Sequence, residues 1–237
     1  MSVLRLDPAT PGERTLVFLP GFMTAADSYR ALLEPLTLQG ISVVVPQLYR
    51  RGIGALTGRA TVEQEAADAA DLVRDLAPRG PVWLGGHSRG GQAAFRAANL
   101  LATDRAAAGI LRGLVLVDPV DGSGRAPTAR TATAAPALFS IPCLIVGAGL
   151  GGRCAPEPVN HRAFADAVPS ARHVVVTRLG HGDVLDDRPR ARARRLCGGA
   201  DDPDPGRCAV TALVIAAVLG VEADIPDQAG LLDWWRR

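Results

Sequence analysis

The sequence predicts an α/β fold in which a mostly parallel central sheet carries helices on both faces. Apolar, β-branched runs recur along the 237 residues, helical patterns lie between several of them, and the runs are nearly continuous in apolar residues. Such strands are typical of parallel sheets that helices bury on both faces. In these sheets the catalytic and ligand-binding residues lie in the loops beyond the carboxyl ends of the strands.

Six apolar runs supply the predicted strands, in the order TLVFLP (15–20), ISVVVPQL (41–48), PVWLGG (81–86), LRGLVLVD (111–118), IPCLIVGAG (141–149) and ARHVVVTRLG (171–180). Helical patterns occupy 61–77 and 92–108. The apolar run 208–221 predicts a further buried helix, because it is shorter than the roughly 20 residues that a membrane span needs.

The composition predicts one domain over residues 1–237, without a separate cap domain. Hydrophobic residues make up 48% of the chain, and no internal repeat or Pro/Gly-rich linker divides it. The net charge of +2 argues against a nucleic-acid partner, because a basic binding face would raise the charge well beyond this value. Residues 1–15 lack the apolar core of a secretory signal, so we expect a cytoplasmic protein.

The cysteines predict neither a metal site nor a disulfide. They lie at Cys143, Cys154, Cys197 and Cys208, and no two form the C-x-x-C pair typical of zinc sites. Cys197 and Cys208 bracket a polar segment that a disulfide could close. A cytoplasmic chain keeps such thiols reduced, so we expect no bridge between them.

The stretch LGGHSRGGQA at 84–93 crowds glycines around a single serine. Residues 86–90 match the nucleophile-elbow pattern G-x-S-x-G, with a predicted strand before it and a helical pattern after it. The spacing fits neither of the glycine-rich loops that bind phosphates. Ser88 is therefore the predicted nucleophile.

A serine nucleophile needs a base with a pKa near neutrality, which points to histidine. His87 is the neighbour of Ser88 and points elsewhere along the turn, His161 begins a helix, and His173 lies within a strand pattern. His181 alone follows the carboxyl end of a strand, in RLGHGDVLDD. It is the predicted base.

The acid of the triad is expected between the serine and the histidine in the chain. The candidates are Asp118, Asp121, Glu157 and Asp166. Asp118 directly follows one strand and Glu157 follows the next, and position alone does not decide between these two. The acid would orient the histidine ring and stabilise the imidazolium.

An oxyanion hole needs two preorganised N–H donors. One is the amide after the nucleophile, that of Arg89. The other is expected in the loop after the first predicted strand, where Phe22 supplies an amide and Pro20 has none.

These residues resemble the chlorophyllase family of α/β-hydrolases, from residue 15 to the helix that ends near residue 220. The matching segments are FLPGFMTAADSYRALLEPLTLQGISVVVPQLY, GGHSRGGQAAF, LVLVDPVDG, VGAGLGGRCAPEPVNHRAFADA and LGHGDVLDD. The resemblance implies the α/β-hydrolase fold and serine esterase chemistry. It also implies a triad of the elbow serine, the aspartate of D-P-V and the histidine of G-H-x-D, here Ser88, Asp118 and His181. The family's H-G-[FY] loop has Pro20 here in place of its histidine.

The expected activity is hydrolysis of a small-molecule, bulky hydrophobic ester through an acyl-enzyme, without a metal or organic cofactor. One alternative keeps the same residues but lets an alcohol or amine of the substrate attack the acyl-enzyme, giving an acyltransferase or cyclase. Another is a ligand-binding protein that has the fold without catalysis.

Three surface features complete the sequence interpretation. The long loops at 49–60 and 119–140 are expected to line or partly cover a pocket, because both follow predicted strands. The basic run 188–196 is interpreted as a solvated surface whose arginines pair with neighbouring carboxylates.

Overall fold

A computed structural model describes residues 3–10, 12–47, 61–107, 109–122, 129–223 and 230–236. Within them, the strands are β1 (Val3–Leu6), β2 (Arg14–Leu19), β3 (Ile41–Pro46), β4 (Val82–His87), β5 (Leu111–Val117), β6 (Cys143–Leu150), β7 (Arg172–Gly180) and β8 (Leu232–Arg236). The helices are α1 (Arg30–Thr37), α2 (Val62–Leu76), α3 (Arg89–Thr103), α4 (His161–Ala167), α5 (Asp187–Cys197) and α6 (Asp204–Leu219).

These strands form one sheet in the order β1-β3-β2-β4-β5-β6-β7-β8. The six central strands are parallel, and the edge strands β1 and β8 pair antiparallel with β3 and β7. The predicted α/β fold is confirmed, and the six predicted strands are the parallel ones. The two edge strands and the helices α1 and α5 were not predicted from the sequence.

Two hydrophobic cores hold the helices on opposite faces of the sheet. The helices α2, α3 and α4 pack on one face, where Phe95 of α3 meets Phe139 and Phe164 edge-on with ring centroids 5.5 Å apart. The helices α1 and α6 pack on the other face. Because both faces are covered, the central strands are apolar on both sides.

Residues 208–219 of the apolar run lie in α6, in which eight residues are buried, as the sequence predicts. Among the described residues, no helix is both long and apolar enough to cross a membrane. The single domain predicted for residues 1–237 stays a prediction.

Candidate active site

Ser88 lies at the sharp turn between β4 and α3, with φ 55° and ψ −123°. This is a strained conformation for a residue with a side chain, and such strain costs about 1–3 kcal/mol. The flanking glycines allow the turn. A Cβ on Gly86 would lie 2.4 Å from the Gly90 carbonyl carbon, and a Cβ on Gly90 would lie 2.1 Å from the Leu19 oxygen. The predicted elbow therefore has the geometry that exposes a serine hydroxyl.

The structure brings Ser88, Asp118 and His181 together from the ends of three different strands. His181 Nε2 lies 2.9 Å from Ser88 Oγ, and His181 Nδ1 lies 2.6 Å from Asp118 Oδ2. An ionised carboxylate only accepts hydrogen bonds, so Nδ1–H donates to Asp118 and Nε2 is left to accept from the serine hydroxyl. This is the arrangement by which a histidine can take a proton from a serine.

Asp118 is fixed on both sides of its carboxylate. It is buried, its backbone has φ 38°, and its second oxygen accepts the Ala148 N–H at 3.0 Å. Burial acts to raise the pKa of Asp118, but the hydrogen bond and charge of His181, the charge of His161 and the Ala148 N–H outweigh burial. The pKa of Asp118 therefore lies below its ordinary value, and the group stays ionised.

The other candidate acids have different partners. Glu157 is exposed and forms an ion pair of 2.6 Å with Arg162. Asp166 lies 3.6 Å from Arg130. Of the four candidates, Asp118 is the one that the structure places against His181.

Asp121 holds a loop instead of a histidine. Its buried carboxylate accepts hydrogen bonds from Gln92 and from the backbone and hydroxyl groups of residues 131–133, at distances of 2.6–2.9 Å. Burial acts to raise the pKa of Asp121, but these hydrogen bonds outweigh it and keep the pKa low. The carboxylate thus anchors the chain that follows Asp118.

His87 was expected to point elsewhere along the turn, and the structure shows where it points. Its Nε2 lies 2.8 Å from the His181 carbonyl oxygen, and its Nδ1 lies 2.9 Å from Tyr29 Oη. A carbonyl only accepts, so Nε2–H donates to it and Nδ1 accepts from the tyrosine hydroxyl. Burial and the charge of His181 lower the pKa of His87 to about 3, so its ring is neutral near pH 7. Sequence reasoning missed Tyr29 entirely.

The remaining histidines lie away from Ser88. His161 begins α4 and His173 lies in β7, as predicted, and their ring nitrogens Nδ1 and Nε2 are 2.8 Å apart in the core. Burial lowers the pKa of His161.

The predicted oxyanion residues Phe22 and Arg89 lie side by side. The Arg89 guanidinium lies 5.9 Å from the centre of the Phe22 ring. Its Nε and Nη2 also donate to the buried carboxylate of Glu65 at 3.0 Å. The amide of Gly21 donates to Tyr29 Oη at 2.8 Å. A Cβ on Gly21 would lie 3.3 Å from Ser88 Cβ, so glycine lets this loop approach the nucleophile closely.

Asp183 stabilises the loop that carries His181. Its buried Oδ2 accepts the amides of Gly180 at 2.7 Å and Ala200 at 2.8 Å. Asp183 is the aspartate of the G-H-x-D motif, for which the sequence predicted no role. The G-H-x-D motif is the sequence signal by which Asp183 could have been identified.

A cleft of about 1060 Å³ opens in front of Ser88, and we name it the Ser88 cleft. It is lined by the 21–28 loop, by Ser88 and His181, and by one face of α5. The predicted pocket loop at 49–60 lies outside the described residues. The described parts of the 119–140 loop do not line this cleft, because Asp121 holds them elsewhere.

A disulfide joins Cys154 to Cys197, a pairing that the sequence analysis did not predict. Cys208 is exposed and Cys143 is buried, and both are thiols. The expectation of no bridge between Cys197 and Cys208 is confirmed, but Cys197 is not reduced. The bridge ties the end of α5 to the loop after β6, and both cysteines line the Ser88 cleft.

The basic run is only partly paired with carboxylates. Arg190 lies 3.9 Å from Asp187, and Arg194 forms an ion pair with Asp201. Arg188 and Arg192 line the Ser88 cleft instead, which corrects the interpretation of this run as a solvated surface alone.

The family model named Chlorophyllase matches residues 1–224. Among curated proteins, the chain is 33% identical to chlorophyllase-1, chloroplastic, of Citrus unshiu, over 87% of this chain and 69% of that protein. It is 29% identical to chlorophyllase-2 of Arabidopsis thaliana, over 88% of this chain and 74% of that protein.

Solved structures similar to this chain share its fold. Ferulic acid esterase from Streptomyces cinnamoneus has a TM-score of 0.64 and 20% identity, over 96% of this chain and 75% of that one. Est1E from Butyrivibrio proteoclasticus, solved with ferulic acid bound, has a TM-score of 0.66 and 16% identity, over 92% of this chain and 95% of that one.

Proposed function

Because the chain belongs to the chlorophyllase family of α/β-hydrolases and is a carboxylic ester hydrolase, we propose that it cleaves bulky hydrophobic esters through an acyl-enzyme on Ser88. The observation that carries the proposal is the alignment of three groups, with His181 2.9 Å from Ser88 Oγ and 2.6 Å from Asp118 Oδ2. The base lies within hydrogen-bond distance of both the nucleophile and the orienting acid.

In the first step, His181 Nε2 takes the hydroxyl proton as Ser88 Oγ attacks the ester carbonyl carbon. The C=O bond opens to a tetrahedral oxyanion, and the imidazolium is stabilised by the ionised Asp118. Collapse of the intermediate breaks the bond to the alcohol, which receives the proton from His181. Water then repeats the sequence on the acyl-enzyme, releasing the acid and restoring Ser88.

The oxyanion would be stabilised by the backbone amides of Phe22 and Arg89. The Gly21 amide already donates to Tyr29, so the next amide along the loop is the better candidate. The contact between the Arg89 guanidinium and the Phe22 ring supports this pairing, because it holds the two segments together. Loss of one such donor typically costs about 3 kcal/mol in the barrier.

The cleft favours a bulky apolar substrate. Phe22, Met23 and Leu196 line it and are among the large hydrophobic side chains that remain exposed, Met23 to 57% and Leu196 to 70%. Apolar side chains grouped at the mouth of a cleft are typical of a binding site for an apolar ligand.

The cytoplasmic location stays a prediction. The disulfide beside the cleft bears on it, because disulfides persist most readily in oxidising compartments.

Labelling with a fluorophosphonate, read by intact mass, tests the proposal. We expect one adduct on the wild type, none on Ser88→Ala, and much slower labelling of Asp118→Asn and His181→Ala. Ser28→Ala is the matched control, because Ser28 lines the same cleft and lies outside the triad. A folded wild type that does not label, or a Ser88→Ala variant that labels normally, would contradict the proposal.

A further inference from the structure

One wall of the Ser88 cleft is a single face of α5. Arg188, Arg192 and Leu196 line the cleft at a spacing of four residues, and Pro189, Ala193 and Cys197 line it beside them. Residues four apart lie on the same side of a helix. The two guanidinium groups therefore share the cleft wall with Leu196, in front of the predicted nucleophile.

Arg188 and Arg192 differ from neighbouring arginines of the same helix in their charge partners. Arg190 and Arg194 pair with Asp187 and Asp201. Within the described part of the chain, no carboxylate pairs with Arg188 or Arg192. The wall thus presents two uncompensated positive charges to the cleft.

The opposite wall does not neutralise these charges. Among the described residues that line the cleft, Asp27 is the one carboxylate, and it has an interaction of its own. The two histidines that line the cleft are His87 and His181. The neutral His87 ring adds no charge, and Arg188 and Arg192 are the two arginines among the described residues that line the cleft.

α5 is held in place at both ends, which makes its arginines a fixed feature of the cleft. At its start, Asp186 accepts the Ala31 N–H at 2.8 Å and donates its own N–H to the Ser28 carbonyl at 2.8 Å. At its end, the Cys154–Cys197 disulfide ties it to the loop after β6. A site built on a rigid element loses less entropy when it binds a ligand.

We propose that Arg188 and Arg192 form a carboxylate-binding subsite, so that the enzyme prefers esters that carry a carboxylate at a distance from the scissile bond. The inference rests on the proposed esterase function of the same cleft. The guanidinium fork matches the planar geometry of a carboxylate. The apolar side chains that line the same cleft would contact the hydrocarbon part of the same substrate.

Two matched ester pairs test the preference. In the first, p-nitrophenyl octanoate is compared with the p-nitrophenyl monoester of octanedioic acid, which has a terminal carboxylate in place of the methyl group. In the second, the octanoyl ester of 4-hydroxybenzoate is compared with that of 4-hydroxybenzamide, so that the charge lies on the alcohol side. The measured quantity is the ratio of kcat/KM for the anionic ester to kcat/KM for the neutral ester.

We expect this ratio to fall about three- to tenfold in Arg188→Gln/Arg192→Gln for at least one pair, because both arginines are exposed and exposed ion pairs are weak. Turnover of the neutral ester should fall less than turnover of the anionic ester. The control is Arg195→Gln/Arg178→Gln, which removes the same charge from exposed positions that do not line the cleft. An unchanged ratio in both pairs, or an equal fall in the control variant, would overturn the proposal.

A binding measurement separates this proposal from the esterase function. Calorimetric titration of octanedioate into Ser88→Ala and into Ser88→Ala/Arg188→Gln/Arg192→Gln needs no turnover. A Kd that rises about three- to tenfold on loss of the arginines supports the subsite even if no ester is hydrolysed. An unchanged Kd would count against the subsite, whatever the result of the activity assays.

Discussion

Tyr29 Oη lies 2.9 Å from Nδ1 of His87, the residue that precedes Ser88, and both side chains are buried. The tyrosine oxygen accepts the Gly21 N–H at 2.8 Å, and the imidazole donates to the His181 carbonyl at 2.8 Å. A chain of three hydrogen bonds therefore runs from the predicted oxyanion loop to the backbone of the predicted base. The neutral His87 serves as its centre because it can accept at one nitrogen and donate at the other.

Tyr29→Phe removes the hydroxyl and leaves the Gly21 amide and His87 Nδ1 without their partner. We expect kcat for p-nitrophenyl octanoate to fall about ten- to hundredfold with little change in KM, because small displacements of catalytic groups affect the transition state most. The free energy of unfolding should fall by about 1–3 kcal/mol. Steady-state kinetics and urea denaturation measure both effects.

Phe18→Leu is the control for this variant. The Phe18 ring packs edge-on against Tyr29 with centroids 5.4 Å apart, and its replacement changes this packing but removes none of the three hydrogen bonds. It should lower stability without the fall in kcat. Equal losses of kcat in the two variants would mean that packing, and not the hydrogen-bond chain, positions the loops.

Asp118→Asn should lower kcat by about 10⁴-fold, because the amide no longer stabilises the imidazolium or the reactive tautomer of His181. Glu157→Gln should leave kcat within about twofold of the wild type, because Glu157 pairs with Arg162 at the surface. Kinetics on p-nitrophenyl octanoate compare the two variants directly. A larger effect of Glu157→Gln would reverse the assignment of the acid.

Stability should fall as the pH is lowered from 7 to 5, and His87 should contribute to the fall. Its folded pKa of about 3 lies below the unfolded value of about 6.5, so between these pH values the unfolded chain binds more protons. The contribution of His87 to the free energy of unfolding is therefore complete above pH 6.5 and is lost progressively as the pH falls towards 3. Urea denaturation at pH 7 and pH 5 measures the difference.

His87→Gln is the comparison for this pH effect, since its amide can still donate to the His181 carbonyl but does not titrate. The variant should lose less stability between pH 7 and pH 5 than the wild type does. His161, whose pKa is also lowered by burial, accounts for part of the slope that remains. An unchanged slope would show that His87 is not the group responsible.

Removal of the disulfide should destabilise the protein. The bridge spans 43 residues, and a loop of this size implies a loss of about 2–4 kcal/mol in Cys154→Ser/Cys197→Ser. Because the bridge ties α5 to the body of the domain, KM for esters should rise as well. Thermal unfolding with and without reductant provides the measurement.

Cys208→Ser is the matched control, because Cys208 is an exposed thiol. It should leave both the melting temperature and KM unchanged. If reductant lowered the melting temperature of the double serine variant as much as that of the wild type, the Cys154–Cys197 bridge would not be its target.

Local pattern was sufficient to predict the parallel strands and the loops at their ends. Near-continuous apolar runs identify buried strands, and a glycine-flanked serine between a strand and a helix identifies the elbow. Ser88 and His181 could be predicted as nucleophile and base in this way because their signals lie within a few neighbouring residues. Position in the chain did not decide whether Asp118 or Glu157 is the acid of the triad, and the resemblance to a family favoured Asp118. The edge strands and α5 were missed, since their sequences lack the continuous apolar pattern.

Contacts between distant parts of the chain required the folded molecule. Tyr29 and His87 are 58 residues apart, and Cys154 and Cys197 are 43 apart, so no local pattern pairs them. The same holds for the arginines of α5. Their sequence predicts only a basic run, whereas packing of the helix against the rest of the protein places two of them in the wall of the Ser88 cleft and pairs two others with carboxylates. The sequence determines the chemistry of each side chain, but the packing of the helices and strands determines which groups that side chain faces.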